Sequence, residues 1–139
     1  MYKNILVPTD LADKSERSIQ IALEMAAQNS GSVQLVHVVE KMGGDIDKEI
    51  EDFYLKLAVK ANQKLTDWQH RFQEDFTGVP IAKTILVGKR IQEILGFCQE
   101  KDIDLIVMTS RTFSRDSQGF GTLSHQVALF APVSVLVVR

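Results

Sequence analysis

The sequence predicts an α/β domain in which β-strands and α-helices alternate along the chain. Short apolar runs such as Ile5–Val7 and Leu105–Met108 are typical of strands that are covered on both faces of a sheet. Between such runs, apolar residues recur three or four positions apart, as they do from Ile19 to Ala26, which is the period of a helix with one buried face. This alternation favours a parallel sheet with helices on both faces and right-handed crossovers.

The first strand ends at Pro8-Thr9-Asp10, and a helix follows it. Asp13 stands three residues before Glu16, which is the spacing of a capping box, so we expect the helix to begin there. The helix is predicted to end at Asn29-Ser30-Gly31, with Gly31 as a left-handed cap.

The middle of the chain predicts a second strand, a long helix and a third strand. Val33–Val39 is largely apolar and carries His37, for which a strand position with a satisfied ring is favoured over a metal-binding or general-base role. Apolar residues from Ile46 to Phe72 are separated by three or four positions, which fits a helix and excludes a strand. Ile81–Val87 contains polar residues and is therefore predicted to lie at the edge of the sheet.

The rest of the chain predicts two further helices and two further strands. A third helix after Gly88 places Cys98 on its apolar face, and Leu105–Met108 forms the fourth strand. A fourth helix is expected from Thr122 to Phe130, followed by a fifth strand, Val133–Val138. No repeat and no long linker interrupts this order, so residues 1–139 are predicted to form one domain.

Composition excludes several functional classes. Hydrophobic residues make up 45% and charged residues 24% of the 139 positions, the profile of a soluble globular protein. A formal net charge of −2 argues against binding to nucleic acid or to an anionic membrane. Cys98 is the single cysteine, so an internal disulfide and a thiolate zinc cluster are excluded. The chain shows no secretory signal and no apolar run of transmembrane length, and we expect a cytoplasmic protein.

Two polar segments are expected to meet at one edge of the sheet. Ligands of open α/β sheets bind beyond the carboxyl ends of strands, where the strand order reverses. With the apolar strands one, two and four at the centre, Pro8-Thr9-Asp10 and Thr109–Thr112 lie side by side there. Gly121-Thr122 at the start of the fourth helix adds backbone N–H groups suited to an anion. Asp10 is predicted either to contact a ligand at this edge or to cap the turn into the first helix.

Four segments of the chain resemble the universal stress protein family. They are Lys3–Asp10, Leu35–Val39, Asp104–Met108 and Ala131–Val138, and they occur in the family's order and at its separations. The resemblance covers essentially the full length. It implies an open five-stranded parallel sheet of order 3-2-1-4-5, of the adenine nucleotide alpha hydrolase-like or Rossmann-like type. It also implies a homodimer and, in one branch of the family, a site for ATP with Mg²⁺.

The resemblance also implies which residues hold a nucleotide. In the ATP-binding branch, residues such as Pro8, Thr9 and Asp10 and the backbone at Val38 hold adenine and ribose, and a glycine-rich loop holds the phosphates. The candidate contacts carried over are Pro8, Thr9, Asp10, Val38, Met108, Thr109, Arg111, Thr112, Gly121, Thr122, Leu123 and Ser124.

The phosphate loop departs from the family pattern of Gly-x-x-Gly, nine residues and Gly-Ser/Thr. Thr109 and Thr112 replace both glycines of the first pair, and a β-branched residue resists positive φ and close phosphate approach. Gly121-Thr122 keeps the last part, and Arg111 and Arg115 could supply charge instead. Three functions therefore stay open: an ATP-binding stress-response module, a module that binds a protein partner without nucleotide, and a weak ATPase. No nucleophile–base pair is visible in the sequence.

The last strand predicts a dimer interface. Val133–Val138 carries bulky apolar residues on both faces, and an open edge of this kind would template aggregation. Pairing with the same strand of a second copy about a two-fold axis covers it.

Overall fold

Strand β1 lies at the centre of a parallel five-stranded sheet of order β3-β2-β1-β4-β5. This computed structural model describes residues 1–41, 43, 47–110 and 123–139. The predicted sheet, its order and the central place of strands one, two and four are confirmed. In chain order the elements are β1 (Asn4–Pro8), α1 (Ser15–Gln28), β2 (Ser32–Glu40), α2 (Lys48–Asp75), β3 (Ile81–Gly88), α3 (Arg90–Glu100), β4 (Leu105–Thr109), α4 (Leu123–Phe130) and β5 (Ser134–Val138).

Two hydrophobic cores lie on the two faces of the sheet. Side chains of β1 alternate between them: Ile5 and Val7 face helices α1 and α2, whereas Leu6 faces α3 and α4. Trp68 and Phe72 of α2 belong to the first core, as the helical spacing predicts. Cys98 is buried in the second core, where burial raises the pKa of its thiol. Among the helices within the described ranges, none combines the length and hydropathy that a membrane crossing requires.

Both predicted caps of helix α1 are wrong. The helix begins at Ser15, and Lys14 occupies the N-cap position without a side-chain cap. Asp13 is turned outward to Lys64, with Oδ1 3.4 Å from Nζ, so it does not cap the helix. At the other end, Ser30 rather than Gly31 takes the left-handed conformation, with φ of 54°. Gly31 is needed for a different reason, since a Cβ there would lie 2.4 Å from the carbonyl oxygen of Lys3.

Glu16 ties helix α1 to helix α2. Its Oε1 accepts hydrogen bonds from Trp68 Nε1, at 3.0 Å, and from Arg71. The Arg71 hydrogen bond is the largest influence on the pKa of Glu16 and lowers it, burial opposes the shift, and the Trp68 bond supports it. These partners explain why Glu16 does not turn back to form a capping box.

Stability is expected to fall at acid pH partly through Glu16. Because its pKa is lower in the folded state, its contribution is complete above the ordinary value of 4.5 and is lost as the pH falls through the lowered value. We expect Glu16→Gln to reduce the free energy of unfolding at pH 7. We also expect the free energy of unfolding of this variant to decrease less steeply as the pH falls below 4.5. Urea unfolding across this range tests it, with the exposed Glu100→Gln as the control. An unchanged pH dependence in Glu16→Gln would contradict the assignment.

Candidate functional site

A cleft of about 660 Å³ opens at the carboxyl ends of strands β1 and β4. We call it the switch-point cleft. Strand β2 lies on one side of β1 and strand β4 on the other, so the strand order reverses there. Its volume lies within the range usual for small-molecule sites. Its described walls include Pro8, Thr9, Asp10, Lys14, Val36, His37, Val38, Glu40, Arg90, Ile94, Met108, Thr109, Ser110, Leu123 and Ser124.

The loop after β1 is fixed by its own polar side chains. Thr9 Oγ1 accepts a hydrogen bond from Leu11 N at 2.9 Å, and Leu11 has the unusual φ of 71°. Asp10 Oδ1 accepts from Ala12 N at 3.0 Å and from Ser15 Oγ at 3.3 Å. The turn-capping role considered for Asp10 is therefore present at Oδ1. Oδ2 makes no hydrogen bond to any described residue, and Asp10 is exposed and lines the cleft.

Strand β2 continues past the end of β1 and exposes backbone groups to the cleft. The hydrogen-bond ladder between β1 and β2 ends where Thr9 N donates to Val36 O at 2.9 Å. The next carbonyl on this side, Thr9 O, accepts instead from Nδ1 of His37 at 2.8 Å. Because alternate residues of a strand face the same neighbour, the N–H and C=O of Val38 point towards the side that β1 has left.

His37 thus has a satisfied ring, as predicted. Since a carbonyl oxygen can only accept, Nδ1 carries the proton, and in the neutral ring Nε2 keeps its lone pair. The histidine holds the loop after β1 against β2 and takes the carbonyl that would otherwise extend the ladder to Val38. Sequence reasoning missed this role, because nothing in the sequence shows that Thr9 O lies beside the ring.

The floor of the cleft is apolar. Val36, Val38, Ile94 and Met108 are almost completely buried and line it, and the partly buried Leu123 adds to them. An apolar surface bordered by a few polar groups is suited to an aromatic ring system.

Thr109 uses its hydroxyl for structure. Its Oγ1 lies 2.6 Å from Oγ of Ser18, which is fully buried in helix α1. Thr109 ends strand β4 and is not among the described residues with positive φ. The chain therefore takes an ordinary extended conformation at the first of the two positions where the family pattern has glycine, and a threonine fits there without strain.

Charged side chains line both sides of the cleft. Lys14 Nζ donates to Ser110 O at 2.9 Å, so a cation lies beside the start of the loop after β4. On the β2 side, Arg90 Nε pairs with Glu40 Oε2 at 2.7 Å. Sequence reasoning missed all three residues, because they come from separate elements that only the fold brings together.

The structure places eight of the twelve candidate residues together. Their role in holding a nucleotide stays a prediction. Those lining the cleft are Pro8, Thr9, Asp10, Val38, Met108, Thr109, Leu123 and Ser124. Arg111, Thr112, Gly121 and Thr122 lie outside the described residues.

The sheet order and the cleft at its switch point define a Rossmann-like α/β protein. The model of the universal stress protein family matches residues 1–139, and the chain belongs to that family.

Relatives and solved structures agree with this assignment. The universal stress protein YxiE of Bacillus subtilis is 25% identical over 157 aligned positions that cover 100% of both chains. The solved structure of the universal stress protein UspA from Lactobacillus plantarum superposes with a TM-score of 0.81 at 23% identity, covering 99% of this chain and 98% of that one. The universal stress protein from Archaeoglobus fulgidus, solved in complex with dAMP, gives a TM-score of 0.74 at 24% identity, with 99% and 98% covered.

The bond between Ser18 and Thr109 is expected to stabilise the fold. Removing one hydroxyl leaves the other unpaired, so Ser18→Ala and Thr109→Val should each lower the free energy of unfolding by about 1–3 kcal/mol. The double variant should lose less than the sum, because no unpaired hydroxyl remains. Urea unfolding of the four proteins measures the coupling, and strictly additive losses would show that the two hydroxyls do not interact.

Proposed function

We propose that this universal stress protein is a cytoplasmic, nucleotide-responsive binding module that takes ATP or a related adenine nucleotide in the switch-point cleft. The observation that carries the proposal is the backbone of Val38, which offers a donor and an acceptor next to each other above an apolar floor. The Watson–Crick edge of adenine offers the complementary acceptor and donor at N1 and N6. A buried single cysteine, Cys98, fits a reducing compartment.

Asp10 is the proposed partner of the ribose. Its Oδ1 is engaged in the turn, so Oδ2 is the oxygen that can accept hydrogen bonds from ribose hydroxyls. With the ribose held there, the base reaches Val38, and guanine would present the opposite order of donor and acceptor. The site should therefore prefer adenine to guanine.

The phosphates are proposed to lie towards β4. Lys14 beside Ser110 supplies positive charge at that end of the cleft, and Ser124 near the start of helix α4 lines it. The predicted contributions of Arg111 and of Gly121-Thr122 fall outside the described residues. If ATP binds, Mg²⁺ would accompany it and neutralise phosphate charge.

The complex of the Archaeoglobus fulgidus relative with dAMP supports the adenine class. A nucleotide-free module that binds a protein partner is the second candidate, favoured by Thr109 in place of a family glycine. Slow ATP hydrolysis is the third, and it would be incidental to binding.

The ribose contact can be separated from the turn by a conservative substitution. Asp10→Asn keeps an oxygen to accept from Ala12 and Ser15 but replaces the other with a donor. We expect the dissociation constant for ATP·Mg²⁺ and for AMP to rise about tenfold or more in calorimetric titration, the loss expected for a hydrogen bond to a charged acceptor. Asp47→Asn makes the same charge change at the start of helix α2 and should leave binding unchanged.

Two further measurements complete this test. GTP·Mg²⁺ should bind at least tenfold more weakly than ATP·Mg²⁺ to the unsubstituted protein. Heating the purified protein and analysing the supernatant will show whether it retains adenine nucleotide. Absence of any binding below about millimolar ligand would exclude the nucleotide proposal and favour the protein-interaction module.

We also propose a homodimer through strand β5. Within the described residues β5 pairs only with β4, so its other edge is open. Leu136 and Val137 are exposed on it, and Leu129 and Phe130 of helix α4 are about two-thirds exposed beside it. Pairing of two β5 strands about a two-fold axis would cover both the edge and this apolar surface.

Charge at the open edge should separate the two copies. Val137→Lys places an ammonium group at an exposed position of β5, so we expect the dimer to dissociate at least tenfold more readily in sedimentation velocity. Val59→Lys on helix α2 is the control, with similar exposure away from β5. A protein that sediments as a monomer at all concentrations, or a dimer that Val137→Lys leaves intact, would exclude this interface.

A further inference from the structure

The first half of helix α2, Lys48–Lys60, extends past the sheet that supports the second half. The helix has 28 residues and strand β3 has 8, which correspond to about 42 Å and about 26 Å. The buried residues of α2 accordingly begin only at Ala61. The overhanging half therefore stands at the carboxyl edge of the sheet without a core of its own.

This overhanging half carries an apolar stripe. Ile50, Phe53 and Leu57 are separated by three and four positions, so they lie on one face of the helix. They are 40%, 58% and 38% exposed. We call them the outer stripe. A contiguous exposed apolar row on a helix is typical of a surface that another molecule covers.

Two opposite charges border the outer stripe on the same side. Glu49 stands four residues before Phe53, and Lys60 stands three residues after Leu57, so both lie along one border of the stripe. No ion pair within the described ranges includes either of them. The helix thus has an acidic end and a basic end along one side of its apolar row.

We propose that the outer stripe binds the outer stripe of a second copy in an antiparallel helix pair. With a two-fold axis at the level of Leu55, Phe53 and Leu57 face the partner's Leu57 and the partner's Phe53. The same axis places Glu49 opposite the partner's Lys60, and Lys60 opposite the partner's Glu49. In a parallel pair the two copies would carry this border on opposite sides of the interface, so Glu49 and Lys60 would not pair across it, which favours the antiparallel arrangement.

This contact is separate from the β5 edge, and the three outer-stripe residues are not among those that line the switch-point cleft. Helix α2 packs on the β2–β3 side of the sheet, whereas β5 lies at the opposite edge. Both contacts are isologous and can form together, which would join dimers into tetramers or longer assemblies. A contact limited to half of each helix is small for a specific interface, so we expect a dissociation constant in the micromolar range, below about 100 μM.

The test is a charge exchange followed by sedimentation velocity over a concentration series. All variants are made in the Val137→Lys background, so that β5 pairing does not contribute. Lys60→Glu alone and Glu49→Lys alone each set like charges together and should weaken self-association at least tenfold. The double variant, Glu49→Lys with Lys60→Glu, restores opposite charges and should return within about threefold of the starting protein.

Matched controls lie on the same helix. Glu51→Lys makes the same charge change as Glu49→Lys in the first turn of the helix, and Val59→Gln removes an exposed apolar residue. Both positions lie away from the outer stripe, so neither substitution should alter self-association. Phe53→Gln should abolish it. A background protein that stays monomeric at about 100 μM would overturn the proposal. A charge exchange that fails to restore self-association would also overturn it. So would equal effects of Phe53→Gln and Val59→Gln. Either result would favour a different binding partner for the outer stripe.

Discussion

The hydrogen bond from His37 to Thr9 O determines the shape of the site. It lies where strand β1 stops and strand β2 continues, and it takes the carbonyl that a longer ladder would have used. Two consequences follow from this one contact. The loop carrying Asp10 is held against the sheet, and the backbone of Val38 is left facing the cleft. A donor–acceptor pair set in a rigid sheet needs little reorganisation to receive a base.

The rest of the cleft depends on the same switch point. Strand β1 lies between β2 and β4, so the residues after β1 and after β4 meet at one edge. Ser18 and Lys14 of the α1 region connect the two sides, the first through Thr109 and the second through Ser110. The threonine at a family glycine position is therefore part of the support for the cleft. Its hydroxyl is directed into helix α1, where it is paired with a buried hydroxyl.

The prediction of the fold succeeded where apolar patterns are long and failed where single polar residues choose between partners. The continuous apolar runs identified the strands, and the helical spacing identified α2 and its buried Trp68 and Phe72. The capping box of Asp13 and Glu16 did not form, because Trp68 and Arg71 are stronger partners for Glu16. Those partners are more than fifty residues away in sequence, so no local pattern could reveal them.

By itself, the sequence determined the alternation of elements, the family and the two segments that form the cleft. The elements and the two segments follow from hydrophobic period and local turn residues, which act over a few positions, whereas the family follows from the resemblance of four segments. Only the tertiary structure decided which atoms of those segments are free. Asp10 gives one oxygen to the turn and leaves the other without a hydrogen bond to a described residue. His37 takes the carbonyl that would otherwise pair with Val38, and Arg90 of α3 forms an ion pair with Glu40 of β2. Hydrogen-bond partners depend on approach within about 3 Å, and that proximity is a property of the folded chain.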